Sequence, residues 1–169
     1  MLSLLILFVL AGVTDQHALH PPTTAVELRS YGFGMIPFDG KFTRFHGSMQ
    51  YDPLNPAICR VDLAIEAGSL EMANESIRDR ITGPSMMDVG RFPDLSFTGV
   101  CKDDTMTGDL TLHGQTHPVI LDIARGPDVI VATGHIRRAE WGITGSPIMG
   151  GPTIRITVTV PNPFNGVHT

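Results

Sequence analysis

TGDLTLHGQTHPVILDI, residues 107–123, decides how the rest of the chain is read. Leu110 and Leu112 fall on one side of an alternating run, with Asp109, Thr111 and His113 on the other. Past Gly114 and Pro118 the alternation resumes, setting Val119, Leu121 and Ile123 against Ile120, Asp122 and Ala124. A period of two sends successive side chains to opposite faces of a strand, so the stretch predicts two strands sharing one apolar face. Gly114 reaches a positive φ without steric cost, which suits the tight turn between them. That apolar face must lie against either a packed core or a cavity holding a ligand.

Working outward, the same period recurs. At 58–67, Cys59, Val61, Leu63, Ile65 and Ala67 face inward while Arg60, Asp62 and Glu66 face out. Further strands are predicted at 26–31, 93–101, 129–138 and 153–160. The run at 41–51 alternates imperfectly, because Phe42 and Phe45 fall on opposing sides. Residues 69–92 break the rhythm. Ile77 and Ile81 stand four apart, Asn74 or Ser76 can cap, and Gly83-Pro84 terminates, so two short helical pieces are expected there. Residues 33–40 read as a loop in which Phe33, Met35, Ile36 and Phe38 either plug the end of the core or line an entrance. The stretch 139–151, with Trp141, reads as a long loop.

A chain of 169 residues suits one domain with a sizeable core. Its net charge of −5 and the absence of a Lys/Arg cluster argue against nucleic acid. About eight strands with one apolar face predict an all-β fold, a closed antiparallel barrel with a short helical insertion. A β-sandwich is the second choice. The apolar run at 2–13 is shorter than the roughly 20 residues of an ordinary membrane-spanning helix. It has the length of a signal-peptide core, and the small residues Ala11, Gly12 and Thr14 near its end permit cleavage, although no Lys or Arg precedes it. The expected order is a signal peptide over 1–14, a linker over 15–23, the barrel over 24–161 and a tail over 162–169. Export permits a disulfide between Cys59 and Cys101, and buried free thiols fit their inward register equally.

Chemistry-bearing motifs are sparse. His113 and His117 straddle a turn rather than sharing a helix face, so turn polarity is preferred to a metal site. Arg78-Asp79 reads as an ion pair fixing the helical insertion, in preference to a contact with a ligand head group. Ser146 lacks the glycines of a nucleophile elbow. No catalytic residue, metal ligand or phosphate loop is predicted, and the chain is not expected to be an enzyme.

TGDLTLHGQTHPVIL resembles the signature tGdLTlHGvTkPVtL of the YceI family of bacterial periplasmic proteins. GKFTRFHGSMQYDPLNP, the block from 61 to 99 and GHIRRAEWGITG resemble further family segments in the same order. The resemblance spans roughly residues 24–161. It implies a lipocalin-like barrel in the periplasm, or secreted, whose cavity takes a polyisoprenoid or the tail of an isoprenoid quinone for carriage, storage or sequestration. No other cofactor is implied. Where the family often has a histidine–serine pair this chain has Thr23-Thr24, a later histidine position holds Gly32, and Arg80-Ile81 follows Arg78-Asp79 in place of a histidine.

On that reading the cavity wall draws on Phe33, Met35, Phe38, Phe42, Phe45, Met49, Val61, Leu63, Ile65, Met86, Phe97, Leu110, Leu112, Val119, Leu121, Trp141 and Ile156. Residue pattern alone assigns such positions to the core. Burying one five-carbon unit contributes roughly 3–4 kcal/mol at about 0.8 per CH₂, so apolar contact suffices without a polar motif. The expected partner is a long isoprenoid lipid, with a homodimer compatible with the sequence, no nucleic acid and no membrane span in the mature form. The alternative is a stress-related barrel acting through a protein partner.

Overall fold

The computed structural model describes residues 14–145 and 151–164. The apolar run at 2–13, Ser146 and the end of the tail lie outside the described residues. The alternating segments form β1 (Asp15–Leu19), β2 (Ala25–Gly32), β3 (Ile36–Phe42), β4 (Phe45–Asp52), β5 (Asn55–Glu66), β6 (Leu70–Met72), β7 (Asp94–Lys102), β8 (Thr105–Leu112), β9 (Gln115–Arg125), β10 (Val129–Arg137) and β11 (Thr153–Pro161). One helix, α1 (Glu75–Thr82), separates β6 from β7. All pairings are antiparallel, in the order β1-β4-β5-β7-β8-β9-β10-β11-β2-β3-β6.

The hairpin of β8 and β9 turns on His113 and Gly114 alone, at φ 53° and 71°. Two positive φ values give the primed turn whose twist matches the strands it joins. The return strand starts at Gln115, before Pro118. Inward and outward faces separate as the period of two requires: Val119, Leu121 and Ile123 are buried, whereas Ile120 is 64% exposed.

The all-β antiparallel architecture is as expected, but the closed barrel of about eight strands is corrected. The 11-stranded sheet is a strongly curled half-barrel whose ladder ends at β1 and β6. Phe42 and Phe45 carry the physical reason. Both are buried, yet residues three apart in one strand face opposite ways. The chain therefore corners at Thr43 and Arg44, ending β3 and starting β4. A 3₁₀ turn over Ala67–Ser69 makes the matching corner between β5 and β6. The corners are tied by Glu66 N–H to Arg44 O at 3.0 Å and Thr43 N–H to Ser69 O at 3.2 Å. Long strands are thus cut into shorter ones, and the count rises.

Two further segments differ from expectation. Part of the linker is β1, which adds to the edge of β4 and buries Leu19 to 2% exposure. Only one of the two helical pieces forms. Asn74 caps α1 by accepting from Ile77 N–H, Gly83 ends it, and the chain then turns repeatedly through Asp88 at φ 47°. In the long loop a 3₁₀ turn covers Arg138–Trp141.

Cys59 and Cys101 are direct cross-strand partners on β5 and β7, with Cα atoms 4.8 Å apart, and form a disulfide. The cross-link closes a sequence separation of 42 residues and so restricts the unfolded chain. Replacing both cysteines by alanine is expected to lower the unfolding free energy in urea by about 2–4 kcal/mol, with an unchanged far-UV spectrum.

Candidate ligand cavity

Inward side chains of the curled sheet do not meet completely. They leave a narrow void of about 60 Å³, lined by Leu19, Met49, Tyr51, Cys59, Val61, Leu63, Phe97, Cys101, Met106, Leu121, Ile123, Arg125, Ile130, Ala132, Val158, Val160 and Phe164. One water needs on the order of 10–15 Å³ of such space, so the void is a slot rather than a chamber. Its walls are apolar except at one end, where Tyr51 and Arg125 reach it.

Glycines shape the wall. Gly99 and Gly108 are cross-strand partners on β7 and β8. The Phe97 ring lies over both, 2.6 Å from where a Cβ on either would stand. On the far side Leu121 covers Gly134, its register partner on β10, in the same way. Side chains therefore occupy hollows that the backbone leaves open.

The polar end of the slot sits where β4, β7, β9 and β11 finish. Tyr51 meets Phe164 edge to face, with ring centroids 4.8 Å apart. Asn162 holds the chain there: its Nδ2 donates to Gly126 O at 2.8 Å and its Oδ1 accepts from Phe164 N–H at 3.0 Å. Burial, and then the charge of Asp15, push the Tyr51 phenol above its usual range and keep it neutral. Arg125 points out to Asp104, to which it donates at 2.5 Å, and to the Asp103 carbonyl.

The opposite end is packed shut around Trp141, 1% exposed. Its indole N–H donates to Leu110 O at 3.1 Å, its own carbonyl accepts from His113 Nδ1 at 3.0 Å, and His117 meets it edge-on at 5.1 Å. The Phe92 and His113 rings meet at a tilt of 57°, with centroids 4.5 Å apart. The buried Arg138 donates to the carbonyls of Ile143, Gly145 and Gly151, pinning the loop over this end. Desolvation lowers its pKa from the usual range.

The sequence candidates distribute accordingly. Met49, Val61, Leu63, Phe97 and Leu121 line the slot. Phe42, Phe45, Ile65, Met86, Leu112, Val119 and Trp141 are buried away from it. Phe38, Leu110 and Ile156 are half-buried, and Phe33 and Met35 are 65% and 84% exposed on the β2–β3 turn. Lining residues outside that set include Leu19, Met106 and Phe164. Leu19 belongs to a segment read as linker and Phe164 to one read as tail. Met106 is the second residue of β8, close behind a polar turn.

A wider hollow of about 590 Å³ lies on the outer face of β11, β2, β3 and β6. Glu27, Arg29, Asp39, Lys41, Glu71 and Arg155 line it. Its charges make it a poor home for an apolar chain, so the smaller interior slot is the better candidate despite its size. Arg78 pairs with its neighbour Asp79 at 2.6 Å on the surface of α1, away from the slot. Among the described residues no three His, Cys, Asp or Glu side chains converge to hold a metal.

Residues 18–161 match the model of the YceI-like domain. The chain belongs to the YceI-like family. Its relatives include a UPF0312 protein of Yersinia enterocolitica, 33% identical over 145 residues that cover 76% of this chain and 72% of the relative. A UPF0312 protein of an Enterobacter species is 36% identical over the same shares of the two chains. The family fold recurs in Burkholderia cenocepacia BcnA, with a TM-score of 0.66 at 18% identity over 82% of this chain and 96% of that one. It recurs again in a polyisoprenoid binding domain from Saccharophagus degradans implicated in plant cell wall breakdown, with a TM-score of 0.61 at 11% identity over 86% and 97% of the two chains.

The packing of Phe97 over its glycines gives a direct check. A Gly99→Ala substitution places a methyl 2.6 Å from the ring and 3.1 Å from Thr107 O. It is expected to cost about 1–3 kcal/mol of stability in urea unfolding.

Proposed function

We propose that the half-barrel is an exported binding protein that holds one slender apolar chain of the polyisoprenoid type in its interior slot. The observation that carries this reading is the slot itself, apolar along its length and polar only where Tyr51 and Arg125 bound one end. A chain enters lengthwise, with its head group left at the polar end.

The slot is too small as it stands for several prenyl units, so occupation requires side chains to yield. The wall is suited to that. Met49 and Met106 are unbranched and adaptable, and Phe97 and Leu121 rest over glycines, where rotation exposes smooth backbone instead of another side chain. Each five-carbon unit buried contributes roughly 3–4 kcal/mol before ordering costs, which offsets the rearrangement after a few units. The polyisoprenoid binding domain of Saccharophagus degradans, with the same fold, supports this ligand class. The disulfide and the apolar run at 2–13 support export, since disulfides persist in oxidising compartments.

The test is solvent extraction of the purified protein followed by mass spectrometry, with prenyl alcohols and quinones of graded length then added to emptied protein. A bound isoprenoid, or stoichiometric uptake of one, is the expected result. An empty protein that takes up none of them would overturn the reading. Ala132 faces the slot from β10. Ala132→Leu should abolish uptake while costing no more than about 1–3 kcal/mol of stability.

A further inference from the structure

One patch of the surface has no part in the slot. The β2–β3 hairpin turns on Phe33 and Gly34, at φ 49° and 75°. The turn lifts four large apolar side chains into solvent together: Tyr31 is 43% exposed, Phe33 65%, Met35 84% and Ile36 52%. Scattered exposed apolar residues are ordinary, but a contiguous apolar tip on a hairpin marks a contact surface.

The charge behind the tip indicates what it contacts. The register places His135, Arg155, Arg29 and Asp39 side by side across β10, β11, β2 and β3. All four are exposed, and Arg137 follows His135 on the same face of β10. Asp39 pairs with Arg29 at 2.5 Å. Arg155 and Arg137 are left with no acidic partner directly across the ladder, where Arg155 faces Arg29 and His135, and Arg137 faces Thr153. Glu27, Lys41 and Glu71 lie one row further from the tip, and Glu140 lies in the turn after β10. Two like charges directly opposite are unfavourable in themselves. This positive row stands on a chain whose net charge is −5.

We propose that the β2–β3 tip and the arginine row behind it form a docking surface for a bilayer rich in anionic phospholipid. Apolar and aromatic side chains at the leading edge enter the acyl boundary, and cations set back by one or two strand positions meet the head groups. The tip lies at the end of β2 remote from Ala25, which pairs with Thr159 beside the slot, so docking leaves the polar end of the slot uncovered. The proposal does not require a lipid inside the protein.

The experiment uses sedimentation with vesicles of phosphatidylglycerol and phosphatidylethanolamine, against vesicles of phosphatidylcholine alone. The whole protein should bind the anionic vesicles and release them as salt rises. Arg137→Gln with Arg155→Gln should weaken that binding by roughly tenfold, and Phe33→Ser with Met35→Ser should abolish it. A Met35→Trp variant supplies an exposed probe beside the single, buried Trp141, and its emission should shift to the blue on anionic vesicles only. Isoprenoid loading, measured in the same samples, should be unaffected by all these substitutions, which also reports that the variants fold. Failure of the wild type to bind, equal binding by the variants, or a dimer that Phe33→Ser with Met35→Ser splits without vesicle binding would overturn the proposal.

Discussion

The structure depends on one constraint: a curled sheet with a single apolar face must fill its concave side or cover it. Both solutions are present, at opposite ends. At one end Trp141, Leu112, Ile136 and Ile143 fill the interior, and Arg138 holds the covering loop by its carbonyls. The hydrogen bonds of Trp141 to Leu110 and His113 tie that cover to the β8–β9 hairpin. At the other end the filling is incomplete, and what remains is the slot.

Curling the sheet this far requires breaks in its strands. The corners at Thr43–Arg44 and Ala67–Ser69 supply two of them, joined across the gap by backbone hydrogen bonds. Inward glycines supply the rest of the adjustment, because Gly99, Gly108 and Gly134 leave room for Phe97 and Leu121 to lie flat. On the proposed reading, the positions that allow this close packing are also the ones that would yield to a ligand. Stability and capacity are therefore linked through a few aromatic and leucine side chains.

The strand faces were legible in the sequence, because a period of two is local: Val119, Leu121 and Ile123 against Ile120 needed no knowledge of the fold. The turn at His113-Gly114 was legible for the same reason. The corner was visible only as a flaw in the alternation, since the opposition of Phe42 and Phe45 is resolved by a bend that depends on both neighbouring strands. β1 was hidden because an edge strand with one buried residue, Leu19, has almost no pattern. The slot was the least legible part. Met49 and Phe97 line it while Phe45 and Ile65 are core, and all four are inward apolar residues; only where the strands diverge in space separates them. Phe164 and Tyr51 show the same limit, brought together by a tail that carries no periodic signal. The exposed hairpin tip was visible as an apolar loop, but its exposure and the arginine row behind it required the register of four strands.

The central claim is that the slot between Met49, Phe97 and Met106 opens to an isoprenoid chain. Methyl-labelled methionine NMR reads it directly, because methionines sit in the slot, in the packed end and on the exposed tip. On titration with a prenyl chain the account predicts large shifts at Met49 and Met106, with Met35 unmoved. Unchanged Met49 and Met106 signals at saturating ligand, or shifts confined to Met35, would contradict it.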